Sequence, residues 1–441
     1  MLTSDKSSSA PVPRGRLSRL ARLGSMATGV AGGMLMEGAR QLAQGKRPRL
    51  SDLLLTPANA RRVTHQLAQL RGAAMKVGQM ISMDAGDMLP PELAAILARL
   101  RSDAQAMPRK QVQGVLDDNW GAQWKQQFDK FSFTPIAAAS IGQVHRAKTK
   151  SGHDLAIKIQ YPGVRESIDS DVNNVASLLR MSGLLPNTLN IKPLLTQAKR
   201  QLREEADYLR EADYLQRYAS LLADAPEFLV PELHAELTTQ SVLAMSFVGG
   251  IPVESMVDAP QEERDRIVAL LVRLLFREIF EFQLVQTDPN FANYRYDTAS
   301  RQLILLDFGA TRPYKDTMVR GYRRLLTGAA ADDQQAVQKA ALSLGYFDAS
   351  TQEKHQAAVL GMVAIALEPF RLGGDYDFGG SDIGQRLHAA GMDLALGRDF
   401  WHIPPVDTLF LHRKLGGMYL LAARLKARVD VQRIAKEFIS K

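Results

Sequence analysis

The chain has 441 residues, 46% hydrophobic and 23% charged, with a net charge of +8 and no cysteine. The missing cysteines exclude disulfides, thiolate metal sites, cysteine nucleophiles and a disulfide-stabilised secreted scaffold, and the apolar share excludes a disordered chain. At about 100–200 residues per domain, the length allows two to four domains or one large two-lobed one. The charge is concentrated at the start: the first 50 residues hold nine Lys and Arg against two Asp and Glu. The remainder is close to neutral, so a broad nucleic-acid-binding face is excluded.

Residues 1–16 are rich in Ser, Pro and Arg and have little to bury. Arg14, Arg16, Arg19 and Arg22 then lead into an apolar run of small residues over 23–36. That run is too short for a confident transmembrane helix, which needs roughly 20 apolar residues, so it reads as an interfacial segment. Gly29 and Gly33 are spaced GxxxG, a pattern that permits close helix–helix approach and a homodimer through this helix. An amphipathic helix packed on the protein's own body and an Arg- and Ser-rich transit peptide are the alternatives.

Residues 59–83 carry an apolar stripe at helical spacing: Val63, Leu67, Leu70, Ala74, Val77 and Ile81. Lys76 and Gln79 fall on the opposite face, which is what any solvated helix face carries, although Ala68 and Gly72 beside them leave room for close packing. Pro90 and Pro91 open a second helix over 92–101, which ends before Pro108.

From Phe131 the pattern changes to strand, turn, strand, with segments 144–148 and 154–159 flanking a turn at 150–153. Ala156, Ile157 and Lys158 match the kinase strand whose lysine neutralises nucleotide phosphates. Where a protein kinase would show a Gly-rich loop, this chain has Ala137, Ala138, Ala139 and Ser140, with Gly142 retained. Alanine loses the left-handed conformations open to glycine, so the loop is expected to be stiffer and the nucleotide to be placed differently.

A helix is expected over 193–218, with Leu195, Ala198, Leu202, Leu209 and Ala212 as its inner stripe and Glu205 in register with them. An acid on such a stripe should be paired or functional, because burying a lone carboxylate is costly. Asp207 and Glu211 lie i, i+4 on an adjoining face. In a kinase reading Glu211 pairs with Lys158; otherwise the acids simply face Arg203, Arg210 and Arg217 in solvent.

A long apolar helix over 267–282 precedes the stretch Gln286, Thr287, Asp288, Pro289, Asn290, in which Asp288 and Asn293 have the DxxxxN spacing of a kinase catalytic loop. A small hairpin then delivers Asp307, Phe308 and Gly309. Each piece alone is common, but the three in order, each on its expected element, point to ATP. Lys158 would meet the phosphates and Asn293 and Asp307 would hold Mg2+. Asp288 would orient or deprotonate the attacking hydroxyl or water. A second Asp-Phe-Gly at 377–379 lacks a preceding apolar strand and is rejected as a metal site. The eight His, including His145, are scattered and read as structural.

Taken together these motifs resemble the UbiB/AarF family of atypical kinase-like proteins of coenzyme Q biosynthesis. The resemblance rests on Lys76 and Gln79 (KxGQ), Ala137 to Ala139 with Ser140 (the Ala-rich loop), Glu205 and Asp207 (ExD), Gln286 to Asn290, and Asp307. The arm and the HRKLG stretch at 412–416 look like the mitochondrial branch and its proteobacterial counterparts. The resemblance implies that the KxGQ helix packs over the substrate cleft and meets the ExD region, giving Lys76, Gln79, Glu205 and Asp207 regulatory roles. It implies ATP hydrolysis stimulated by membrane lipids and quinone precursors, with protein phosphorylation disfavoured and other quinone-biosynthesis proteins as partners. One departure stands out. The long C-terminal pair of hydrophobic helices of the UbiB-type bacterial members is missing, so membrane contact must rest on the arm.

The expected fold is α+β, a bilobal kinase-like architecture: an arm at 1–50, a helical extension at 51–130, an N-lobe at 131–250 and a mainly helical C-lobe at 251–441. The expected function is an atypical kinase-like ATPase using Mg-ATP. It would act at the cytoplasmic face of a bacterial inner membrane or, alternatively, at the mitochondrial inner membrane. A small-molecule or lipid phosphotransferase and a nucleotide-gated scaffold remain open alternatives.

Overall fold

A computed structural model describes residues 106–139, 141–181, 192–396 and 404–440. The arm, the helices expected at 59–83 (with Lys76 and Gln79) and 92–101, and Ser140 lie outside the described residues. Contacts divide the described chain into two compact units. One runs to Asp213 and adds Glu232–Phe247; the other comprises Tyr214–Pro231 and the chain from Val248 onward.

The first unit begins with α1 (Arg109–Trp120), an element the sequence reading did not place. Pro108 precedes it, where a missing N–H costs nothing, and Gly121 at φ 79° ends it. Val112, Val115 and Leu116 make its buried face. They share one core with Trp124, Phe128, Leu155, Ile157, Ile159 and Val242. The chain then forms β1 (Phe128–Phe131), β2 (Ala137–Ala138), β3 (Gly142–Thr149) and β4 (Asp154–Gln160), with the turn between β3 and β4 where the sequence put it. After α2 (Val164–Met181), α3 (Lys192–Glu205), α4 (Tyr208–Leu221) and β5 (Phe228–Leu229), β6 (Val242–Ser246) returns to complete the sheet. Its strand order is β1-β3-β4-β6, with β2 against β3 and every pairing antiparallel.

Strand β4 shows why this unit positions a lysine well. Leu155, Ile157 and Ile159 alternate onto the core face and are fully buried. Ala156, Lys158 and Gln160 take the other face by the same alternation. Gln160 donates its amide to the carbonyls of Ala206 (2.9 Å) and Gln240 (3.3 Å), fixing the chain that covers that face. Gly142 is required beside β4: a Cβ there would lie 2.2 Å from the Ile159 carbonyl oxygen.

The helix expected over 193–218 is two helices. Helix α3 ends at Glu205, Ala206 and Asp207 break the run, and α4 starts at Tyr208. The break resets the helical phase, so Tyr208, Ala212 and Leu215 turn inward while Leu209, expected inside, is exposed. Glu205 ends α3 half-buried instead of sitting on a continuous apolar stripe.

In the second unit, β7 (Ile251–Pro252), β9 (Tyr294–Asp297) and β10 (Gln302–Leu305) join β5 in a four-stranded sheet of order β5-β10-β9-β7. The pairing of β5 with β10 is parallel and has no local sequence signature; β9 and β10 form the expected hairpin. Helix α5 (Gln261–Phe276) runs into a π-helical turn (Arg277–Phe282), where a single uniform helix was expected. The wider turn places Glu278 wholly inside the protein. Strand β8 (Leu284–Gln286) pairs with β11 (Thr311–Pro313), holding the two ends of the segment from Asp288 to Asp307 side by side. The rest is helical: α6 (Asp316–Ala330), α7 (Gln334–Ser343), α8 (Glu353–Ala366), α9 (Glu368–Arg371), α10 (Ile383–Leu396), α11 (Val406–Arg424) and α12 (Val431–Ile439). A two-stranded ribbon joins β12 (Tyr376–Asp377) to β13 (Arg428–Val429). Phe276 of α5 stacks on Phe438 of α12 at 5.6 Å, closing the core of this unit.

Candidate active site: two half-sites

In the first unit, Lys158 Nζ donates to both carboxylate oxygens of Glu211, at 2.7 and 3.0 Å. The pair is buried, with the lysine side chain 10% exposed and the glutamate 2%. The same ammonium lies 5.3 Å from the centre of the Tyr208 ring, within cation–π range. A lysine held this way keeps its charge at a fixed place, because the carboxylate and the ring face offset the loss of water.

The acids of the ExD motif flank the helix break next to this pair. The Asp207 carboxylate accepts from the Arg210 backbone N–H and from the Gln240 amide, each at 3.1 Å. Asp207 therefore caps the helix on which Glu211 stands one turn later, and its carbonyl accepts the Glu211 N–H at 3.0 Å. Its place in the fold is to start α4 where Glu211 can reach Lys158. Ala137 and Ala138 form the exposed strand β2 against Val144 and Gln143, and the Ala139 N–H donates to the Gly142 carbonyl at 2.9 Å. Among the described residues of this segment, none of Ala137, Ala138 and Ala139 has left-handed backbone.

In the second unit, the Asn293 amide NH2 donates to the Asp288 carboxylate at 3.2 Å. This orients the amide and turns its oxygen, the metal-binding end, away from Asp288. Asn290 caps the short helical turn that carries Asn293. The Leu306 N–H donates to the Asn293 carbonyl at 3.0 Å, bringing the residue before Asp307 onto the same turn. The Asp307 carboxylate accepts from the Gly309 N–H at 3.0 Å, and Phe308 is buried against Tyr218, with ring centres 4.9 Å apart. The Tyr294 phenol reports the shared neighbourhood of the acids. Its pKa is raised well above the ordinary value by burial first, then by the charges of Glu278, Asp288 and Asp307.

Among the described residues no cluster of three or more His, Cys, Asp or Glu could hold a metal by itself. The donor set of Asn293 and Asp307 nevertheless suits Mg2+. That ion takes oxygen ligands and is ordinarily held by one or two carboxylates together with substrate phosphates. The other Asp-Phe-Gly is different. The Asp377 carboxylate accepts the N–H groups of Gly379 and Gly380, both at 3.0 Å, and faces Arg428 at 3.5 Å. His145 is wholly buried between the Gln143 amide and the Ser132 carbonyl, and burial lowers its pKa.

Two residues escaped the sequence reading, Tyr208 and Glu278, and a third, Gln286, was read only as part of the 286–290 motif. Tyr208 directly follows the ExD motif. Glu278 is an acid inside an apolar helix, a signal that could have been used. The Gln286 side chain is buried two residues before Asp288, and neither of its amide atoms has a hydrogen-bond partner among the described residues.

Residues 99–341 match the family model described as the ABC1 atypical kinase-like domain. "Atypical kinase COQ8, mitochondrial" of Saccharomyces cerevisiae is 38% identical over 438 residues, covering 99% of this chain and 87% of that protein. The chain belongs to the ABC1/UbiB family of atypical kinase-like proteins. "Atypical kinase COQ8B, mitochondrial" of Rattus norvegicus is a second family relative, 40% identical over 428 residues, or 97% of this chain and 81% of that protein. A solved structure, that of Rv3197 of Mycobacterium tuberculosis with erythromycin, aligns with a TM-score of 0.59 at 23% identity. The alignment covers 87% of this chain and 96% of that one. That likeness concerns the fold alone, which is kinase-like and α+β, as the motifs implied.

Proposed function

We propose that the chain is an atypical kinase-like ATPase that binds Mg-ATP and supports coenzyme Q biosynthesis at a membrane. The observation that carries the reading is the pre-organisation of two polar clusters: Lys158 held on Glu211 in one unit, and Asp288 held by Asn293 in the other. Such rigid, oppositely charged constellations are what a bound metal–triphosphate demands. Lys158 meets the phosphate oxygens, held by Glu211 at the height that β4 and α4 dictate. Asn293 and Asp307 are the residues that hold Mg2+, which when bound neutralises charge on the phosphates. The Asp288 carboxylate orients the attacking oxygen and accepts its proton, and the Asn293 amide keeps that carboxylate from rotating.

The names of the relatives support the coenzyme Q assignment and, of the two locations expected, the mitochondrial one. No helix among the described residues is long and apolar enough to cross a membrane. Membrane contact is assigned to the arm because its nine Lys and Arg suit anionic headgroups, with lipids and quinone precursors as the ligands that stimulate turnover.

The test is phosphate release from labelled ATP, with and without anionic liposomes and a phenolic quinone precursor, while the label is traced. Release to water that rises with both additions supports the reading. Label transferred to lipid or phenol favours phosphotransfer instead, and no release under any condition removes the enzymatic reading. Deleting residues 1–50 should reduce co-sedimentation with the same liposomes.

A further inference from the structure

The HRKLG stretch lies on α11, where its lysine is buried in the second unit. Lys414 Nζ pairs with Glu278 Oε2, and the two side chains are only 7% and 1% exposed. The other oxygen, Glu278 Oε1, accepts from the Gln286 backbone N–H at 3.3 Å and lies 2.8 Å from the Tyr218 hydroxyl. That hydroxyl is also 3.0 Å from the Leu284 carbonyl, so its one proton is shared between the strand and the carboxylate. The charge on α11 is thus transmitted through one glutamate to both ends of β8, the strand that leads into Asp288.

A second, independent contact lies one turn further along the same helix face. A Cβ on Gly417 would fall 2.6 Å from the Pro289 Cβ and 3.2 Å from its carbonyl oxygen, so the helix backbone rests directly on the residue after Asp288. The neighbouring Gly416 has nothing within 4 Å of such a Cβ. Only one glycine of the pair is needed for contact, and it is the one that faces the loop. Lys414 thereby holds the chain before Asp288, and Gly417 seats the chain after it.

We infer that α11 is the strut that sets the position of the Asp288 loop, with Lys414 and Gly417 as its positioning residues. A buried ion pair is weak evidence for stability in itself, because desolvation cancels much of the attraction, but it fixes geometry well. A proline ring against a bare helix backbone adds a stop that no flexible side chain can absorb. The inference rests on the proposed ATP turnover for its kinetic readout, and on loop dynamics for a readout independent of it.

The experiment compares Gly417→Ala with Gly416→Ala in the full chain. It reads ATP turnover, nucleotide affinity, and amide hydrogen exchange at residues 286–290. Gly417→Ala should lower kcat tenfold or more, leave the nucleotide Kd within about twofold, and accelerate exchange at 286–290. Gly416→Ala should leave all three unchanged. If Gly417→Ala does not fold, Lys414→Met carries the test against the double variant Lys414→Met/Glu278→Gln. In the double variant a neutral amide oxygen still accepts the Gln286 N–H, so it should recover most of the lost turnover and protection. Identical behaviour of the two glycine variants, or a double variant no better than the single, would overturn the inference. Should the wild type prove to have no turnover, the exchange difference alone decides it, which keeps its failure distinct from that of the ATPase reading.

Discussion

Among the described residues each compact unit holds a buried Lys–Glu pair, Lys158–Glu211 in the first and Lys414–Glu278 in the second, and the surroundings of the two pairs differ. Lys158 stands on a sheet with a tyrosine ring beneath its ammonium, and its partner comes from a helix that begins at a cap. Lys414 is sealed in a polar knot with Tyr218, Glu278 and a backbone N–H. Burial pulls the Lys414 pKa down and pushes that of Glu278 up, each being held back by the other's charge. Under the proposed ATPase reading the same chemical pair serves two ends: the first would present a cation to the nucleotide, and the second would fix a loop. What separates them is the rest of the local hydrogen bonding.

The comparison sharpens if both lysines are replaced by methionine. Each change leaves a buried glutamate without its cation, a loss on the order of 3–5 kcal/mol that urea unfolding would read. Lys158→Met should in addition weaken nucleotide binding tenfold or more, whereas Lys414→Met should leave the Kd nearly unchanged. Equal effects on Kd would dissolve the distinction between the two pairs.

The surroundings of the second pair make a pH prediction. His412 is two residues before Lys414, half-buried against the Tyr346 hydroxyl at 2.6 Å, and loss of water around the ring lowers its pKa to about 4. Its folded pKa lies below the unfolded value near 6.5, so the unfolded state takes up a proton first as pH falls. The stability of the neutral ring is complete above about pH 6.5 and is lost progressively as pH falls towards 4. Between pH 7 and 5 this single group should cost about 2 kcal/mol. His412→Gln should flatten that part of the stability profile, and a profile as steep as that of the wild type would refute the assignment. In the first unit a smaller effect is expected. Asp207→Ala removes the cap of α4 and should cost about 1 kcal/mol in thermal unfolding, with turnover reduced as Glu211 loses its fixed position.

How much of this was legible in the sequence depended on whether the signal was local. Lys158 could be read because strand alternation and the AIK pattern occupy six adjacent residues. The placing of Asp288, Asn293 and Asp307 could be read because they bracket one hairpin, two before β9 and one after β10. The break at Ala206 and Asp207 could not, since apolar residues at helical spacing run from Leu195 to Ala212 across it. The Asp207 carboxylate that caps the start of α4 is also held by Gln240, which joins from a distant segment. The parallel pairing of β5 and the meeting of Lys414 with Glu278 are likewise products of chain return, separated by many residues and marked by no periodicity. The acid at 278 inside an apolar helix was the one available hint of the second pair.

The central claim is that Asp288 performs chemistry on a bound nucleotide, and the most direct measurement is steady-state ATP hydrolysis by Asp288→Asn with ATP affinity measured in parallel. The amide keeps the shape and the Asn293 neighbour but cannot accept a proton. Turnover should therefore fall by about 10²–10⁴ while the Kd for Mg-ATP stays within a few-fold. A variant that hydrolyses ATP as fast as the wild type would contradict the account.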